Sequence, residues 1–143
     1  MNKNTNTNDN GPNDSSSVGS TVFLCYEHCS TCARARKWLT EHGVPYAERD
    51  IKTDNPDEGE LTEWYRHSDL PIKRFFNTSG QRYRQLHLSE KLRGMNDEEA
   101  LRLLSTDGML VRRPILVSGN MVLVGFDEKT WESAFRGTAR TVK

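Results

Sequence analysis

The pair Cys29-Ser-Thr-Cys32 stands between a β-branched and aromatic run, Thr21-Val-Phe-Leu-Cys-Tyr26, and a stretch of helical periodicity. That placement restricts the fold more than any other feature of the chain. After the cysteines, Ala35, Trp38 and Leu39 recur at helical spacing, Arg34, Arg36, Lys37 and Glu41 take the other side, and Gly43 offers a left-handed stop. A solvated charged face is the expected role of Arg34, Arg36 and Lys37. A second strand-like run follows, Pro45-Tyr-Ala-Glu-Arg-Asp-Ile51. Strand, helix and strand within about thirty residues predict a βαβ unit, with parallel strands and a right-handed crossover.

The rest of the chain extends this α/β reading. Asn55 before Pro56, with Asp57 and Glu58 in the first turn, predicts a helix start, and Leu61, Trp64 and Tyr65 supply its buried face until Leu70-Pro71. Short helical fragments and the turn Asn77-Thr-Ser-Gly80 fill Ile72 to Leu92. Asn96 and Glu99 form a capping box for a helix over Glu98 to Ser105, which Gly108 closes. Beyond Arg112-Arg113-Pro114, the runs Ile115 to Ser118 and Met121 to Val124 flank Gly119-Asn120, a hairpin signal. A final helix is expected from Asp127, with Trp131, Ala134 and Phe135 at helical spacing.

Residues 1–20 are rich in Asn and Ser and carry Val18 as their single aliphatic side chain. Such a segment cannot bury enough apolar surface to offset the entropy of ordering, so a disordered tail is expected there. One domain is expected over 21–137, with a short C-terminal tail at 138–143. Nothing in the first twenty residues resembles a secretory apolar core, and no run approaches a membrane span, so a cytoplasmic location away from membranes is expected. Lys+Arg and Asp+Glu balance at 20 each, which argues against direct nucleic-acid binding by bulk charge; Arg112-Arg113 could still hold a single small anion.

Three cysteines in a reducing compartment do not make a disulfide framework, so their spacing is read as redox chemistry, metal ligation or packing. At a helix start, free backbone N–H groups and the macrodipole stabilise a thiolate. They are expected to lower Cys29 from about 8.5 toward roughly 3.5 to 7.5. Cys32, one turn inside, is less activated and close enough to resolve a mixed disulfide formed on Cys29. Two plainer roles compete. Cys32 projects on the side of Ala35 and Leu39, which suits packing, and Cys25, His28, Cys29 and Cys32 are four potential zinc ligands. Structural zinc usually joins two separated pairs, and no second C-x-x-C or H-x-x-x-H exists, so no metal is expected. Cys25, mid-strand, reads as core, and His28 as a partly exposed loop residue.

Taken together, Tyr26-x-x-Cys29-Ser-Thr-Cys32, Leu70-Pro-Ile-Lys-Arg-Phe-Phe-Asn-Thr-Ser-Gly80, Asp107-Gly-Met-Leu-Val-Arg-Arg-Pro114 and Val124-Gly-Phe126 resemble the ArsC/Spx family of thioredoxin-fold proteins. The resemblance covers nearly all of 21–136 and is closest to the arsenate-reductase-like branch. It implies a thioredoxin-like sheet with a mostly helical insertion over about 53–108 and a cis Pro114 facing the cysteines. It also places the family's catalytic cysteine on Cys29 and its oxyanion-binding arginine on Arg113. Two further arginines of the glutaredoxin-dependent arsenate reductases match Asn77 and Gly125, so the oxyanion cage is reduced to one guanidinium, and Cys32 stands where those enzymes usually have Ser. The implied function is a thiol-disulfide oxidoreductase that needs no metal or organic cofactor. Its electrons would come from a thiol donor: thioredoxin, glutaredoxin or a low-molecular-weight thiol. The Spx- and MgsR-type relatives imply the alternative, a redox-switched regulator that binds RNA polymerase.

Overall fold

The computed structural model describes residues 21–142, with side chains through 136. The tail expected at 1–20 lies outside the described residues, as do the side chains of the C-terminal tail expected at 138–143. The first βαβ unit forms as expected from β1 (Thr21–Cys25), α1 (Ser30–Glu41) and β2 (Ala47–Asp50), and β1 and β2 run parallel. Gly43 stops α1 in the left-handed region at φ +65°.

The helical insertion begins with α2 (Glu58–Ser68). Its cap is Asp57, which accepts from the Glu60 N–H while the Glu60 carboxylate accepts from the Asp57 N–H. The expected start at Asn55-Pro56 is thus two residues early. The Asn55 side chain instead donates to the Ser105 carbonyl oxygen and ties this loop to the far end of the insertion. A 3₁₀ turn (Ile72–Phe75), α3 (Gln81–Gln85) and α4 (Leu88–Lys91) follow. Next comes α5 (Asp97–Leu104), capped by the expected Asn96–Glu99 box. Gly108 does not close α5, which ends at Ser105. It sits in a 3₁₀ turn (Gly108–Leu110) against the Ile51 carbonyl, where a Cβ would overlap backbone.

The chain returns to the sheet as β3 (Ile115–Ser118) and β4 (Met121–Val124), joined through Gly119 at φ +59°. It ends in α6 (Glu128–Val142), whose start is held by Asp127, accepting from the Thr130 N–H and hydroxyl. The four strands lie in the order β2-β1-β3-β4, with β3 antiparallel to both of its neighbours.

Strand alternation divides the core into two layers. Phe23, Cys25, Leu116 and Leu123 face α1 and α6, where they pack with Cys32, Ala35, Trp38, Leu39 and Trp131. Leu24, Ile115 and Val122 face the insertion and its Leu61, Phe75, Phe76 and Leu104. Each buried leucine or phenylalanine contributes about 1.5–3 kcal/mol of transfer free energy, so both layers are needed to offset chain entropy. No helix of the described residues is long and apolar enough to cross a membrane.

Candidate functional site

Cys29 is not the first helical residue but the N-cap of α1, with extended backbone at φ −107°, ψ 118°. In that conformation its Sγ accepts the Cys32 N–H at 3.4 Å, one of the donors that a helix start leaves without an intrahelical partner. Cys32 Sγ, one turn inside, accepts the Tyr26 N–H at 3.3 Å. Cys32 is fully buried and Cys29 half-exposed, and all three cysteines are free thiols.

Arg113 approaches from the other side of the sheet's end. The β1–β3 register pairs Leu24 with Ile115, so its continuation sets Tyr26 opposite Arg113. The Arg113 guanidinium carbon lies 5.0 Å from the centre of the Tyr26 ring, a cation–π contact that positions the head group. The Arg113–Pro114 peptide bond is cis, as the family resemblance implies. Arg113 Nε and Nη1 are buried without a hydrogen-bond partner. A cavity of about 260 Å³ opens beside Arg113, lined also by Asn77, Gly80, Gln81, Arg82 and Met109.

These surroundings separate the two thiols. Burial is the largest single influence on Cys29 and opposes its ionisation. The Cys32 N–H, the Cys32 thiol and the Arg113 guanidinium together outweigh it, and Cys29 is held below the ordinary thiol value. For Cys32, burial again dominates and the neighbouring Cys29 charge adds to it, so despite the Tyr26 N–H it is pushed up to about 12. The result is one ionisable, accessible sulfur and one protonated, buried sulfur a helical turn apart.

Two parts of the surroundings have no local signal in the sequence. Tyr26 carries Arg113 on its ring and bonds Cys32 through its N–H. Arg36, expected on a solvated face, pairs with Glu48 at 3.1 Å across α1 and β2, and its Nη2 donates to Cys25 Sγ at 3.2 Å. Burial, reinforced by Glu48 and opposed by Arg36, raises Cys25 to about 11. Cys25 is therefore a buried, protonated core thiol, as its mid-strand position suggests. His28 is exposed and lies 3.1 Å from Glu27. Among the described residues no three His, Cys, Asp or Glu side chains converge to hold a metal.

Of the positions matching the missing cage arginines, Asn77 borders the Arg113 cavity, whereas Gly125 faces Arg112. Gly125 has φ +76°, and a Cβ there would lie 3.4 Å from Arg112 Cδ, so an arginine at this position would be strained.

A sheet of this order, with a C-x-x-C pair capping the first helix and a cis proline at the start of the third strand, defines a thioredoxin-like protein. The ArsC family model matches residues 24–134, and the chain belongs to the ArsC family. Its relatives include YusI of Bacillus subtilis, an uncharacterized protein, at 47% identity over 113 residues, 79% of this chain and 96% of YusI. The global transcriptional regulator Spx of the same organism is 27% identical over 100 residues, 70% of this chain and 75% of Spx. Among solved structures, an ArsC-family-related protein from Bacteroides fragilis superposes with a TM-score of 0.78 at 50% identity, covering 80% of this chain and 96% of that one. A protein described as a possible arsenate reductase from Streptococcus mutans gives a TM-score of 0.72 at 38% identity, with coverage of 78% and 97%.

Proposed function

We propose that this chain is an arsenate-reductase-like thiol-disulfide oxidoreductase in which Cys29 attacks and Cys32 resolves. The observation that carries the reading is the placement of two thiols one helical turn apart, Cys29 accessible at the cap of α1 and Cys32 fully buried behind it, which displaces Cys29 down and Cys32 up. With a disulfide substrate, the Cys29 thiolate attacks one sulfur and forms a mixed disulfide while the other sulfur leaves as a thiolate. Cys32 then loses its proton, attacks Cys29 Sγ and expels the second thiolate, leaving a Cys29–Cys32 disulfide. The dithiol has given two electrons, and an external thiol donor (thioredoxin, glutaredoxin or a small thiol) restores it. The order is built into the electrostatics: consumption of the Cys29 thiolate removes one of the charges that keeps Cys32 protonated.

Arg113, with two buried guanidinium nitrogens lacking protein partners, would hold the anionic part of a substrate or the charge developing on the leaving group, and Pro114 beside it would border the approach. One guanidinium in place of three forgoes charge-assisted contacts of about 1.5–3 kcal/mol each, so arsenate should be a poorer substrate than a disulfide.

The test is mild oxidation followed by mass spectrometry, together with turnover of a small disulfide and of arsenate with each donor. The expected products are a Cys29–Cys32 disulfide with Cys25 free, no turnover by Cys29→Ser, and an accumulating mixed disulfide on Cys32→Ser. Cys25 in the dominant disulfide would overturn the assignment. The similarity to Spx supports a second reading, a redox-switched regulator bound to RNA polymerase; polymerase capture that responds to oxidation, without turnover of either substrate, would favour it.

A further inference from the structure

Arg112 and Arg113 are adjacent in sequence but serve different faces. Arg113 turns toward the cysteines, whereas Arg112 borders a second cavity of about 250 Å³ at the free edge of β4, between the end of α2 and the start of α6. Arg74, from the 3₁₀ turn, lines the same cavity. The two arginines are fixed to one another, because Arg112 Nε donates to the Arg74 carbonyl oxygen at 3.0 Å and Arg112 N to the Phe75 carbonyl oxygen at 2.8 Å.

Neither guanidinium is paired with a carboxylate among the described residues. One carboxylate borders the cavity, that of Asp127, and it is engaged by the Thr130 N–H at 3.1 Å and hydroxyl at 2.6 Å. The Ser68 hydroxyl is likewise occupied, donating to the Tyr65 carbonyl and accepting from the Leu70 N–H. Two cations facing one space with a single bordering carboxylate leave a net positive charge there, which costs free energy. Burial, with the Arg74 charge beside it, correspondingly holds Arg112 below the ordinary arginine value.

The remaining walls are apolar: Leu70, Val122, Val124, Phe126 and Trp131. An inorganic oxyanion would leave those walls unused, whereas a carboxylate on a small apolar body would satisfy both parts of the cavity. We infer that this cavity is a binding site for a small organic carboxylate, held by Arg74 and Arg112 and separate from the dithiol site.

Nuclear magnetic resonance titration of the full chain with benzoate, and separately with inorganic phosphate, tests it. Trp131 supplies a local reporter, because it borders the cavity and its indole N–H donates to the carbonyl oxygen of Gly125, another bordering residue, at 3.1 Å. The expected result is saturable movement of the Trp131 indole and the Gly125 and Phe126 amides with benzoate, while the Cys29 and Cys32 amides stay still. Arg74 is exposed and its side chain makes no hydrogen bond among the described residues, so Arg74→Gln should fold normally. It should weaken benzoate about tenfold or more, and Arg112→Lys, which keeps charge but loses the planar fork, should also weaken it. No saturable shift, an undiminished shift in Arg74→Gln, movement centred on Cys29, or phosphate binding more tightly than benzoate would each overturn the inference. Turnover of disulfides by Arg74→Gln should be unchanged, so this site can fail without touching the dithiol reading.

Discussion

Replacing Arg113 with Gln should slow alkylation of Cys29 at pH values below its titration and speed it at high pH, so that the two rate profiles cross. Among the groups that lower Cys29, the substitution removes the guanidinium and leaves the Cys32 N–H, while the opposing burial persists. A hydrogen bond to a charged group contributes about 1.5–3 kcal/mol, so below its titration range the thiolate fraction falls roughly ten- to hundredfold. A more basic thiolate is also a better nucleophile, and a Brønsted slope of about 0.4–0.5 restores a little under half of that loss on a logarithmic scale. The net expectation is alkylation by iodoacetamide about three- to tenfold slower at pH values below the titration of both forms. Above the titration of both forms the sign inverts, because every Cys29 is then ionised and the more basic variant reacts faster. Arg112→Gln is the control, since its side chain borders the β4-edge cavity instead. Equal slowing in both variants, or parallel profiles that never cross, would refute the assignment of Arg113 as the charge that holds the Cys29 thiolate.

Two further outcomes follow from buried groups. Cys25 and Cys32 are raised in the fold from 9.0 to about 11 and about 12, so the stability tied to their protonated forms is complete below pH 9 and is lost as pH climbs through those folded values. Urea midpoints should therefore fall between pH 9 and 11, with a shallower slope in Cys25→Ala; an unchanged slope would exclude Cys25 from the effect. Gly108→Ala should destabilise the chain by about 3 kcal/mol, at the upper end for overpacking, because the new Cβ meets Ile51 backbone, with the carbonyl carbon at 2.8 Å, and no rotamer can relieve it. Chemical denaturation measures this, and a loss within 0.5 kcal/mol, the range of about 0.5 kcal/mol typical of surface changes, would show that the loop shifts freely.

The features legible in the sequence are those whose cause is local. The β-branched and aromatic run at Thr21 to Tyr26, the strand-like runs around Gly119-Asn120, the stop at Gly43, and the Asn96–Glu99 box each depend on residues a few positions apart, and each is found where expected. The dithiol is legible for the same reason: its activation comes from a helix start that the chain itself announces. The start of α2 shows where local reasoning stops, since Asn55 has the chemistry of a cap but is drawn to Ser105, fifty residues away, and Asp57 takes its place.

Other assignments needed the tertiary structure because they depend on strand register and on what lies across the sheet. Parallel pairing of β1 and β2 places Glu48 beside the core thiol Cys25 and recruits Arg36 from what looked like a solvated face. Antiparallel pairing of β1 and β3 brings Tyr26 under Arg113, eighty-seven positions later in the chain. The sequence by itself determined the βαβ unit, the family pattern and the cysteine pair. Only the folded chain decided how Tyr26, Arg36 and Glu48 surround the cysteines and how far burial displaces Cys25 and Cys32, because an electrostatic field is set by distance and burial.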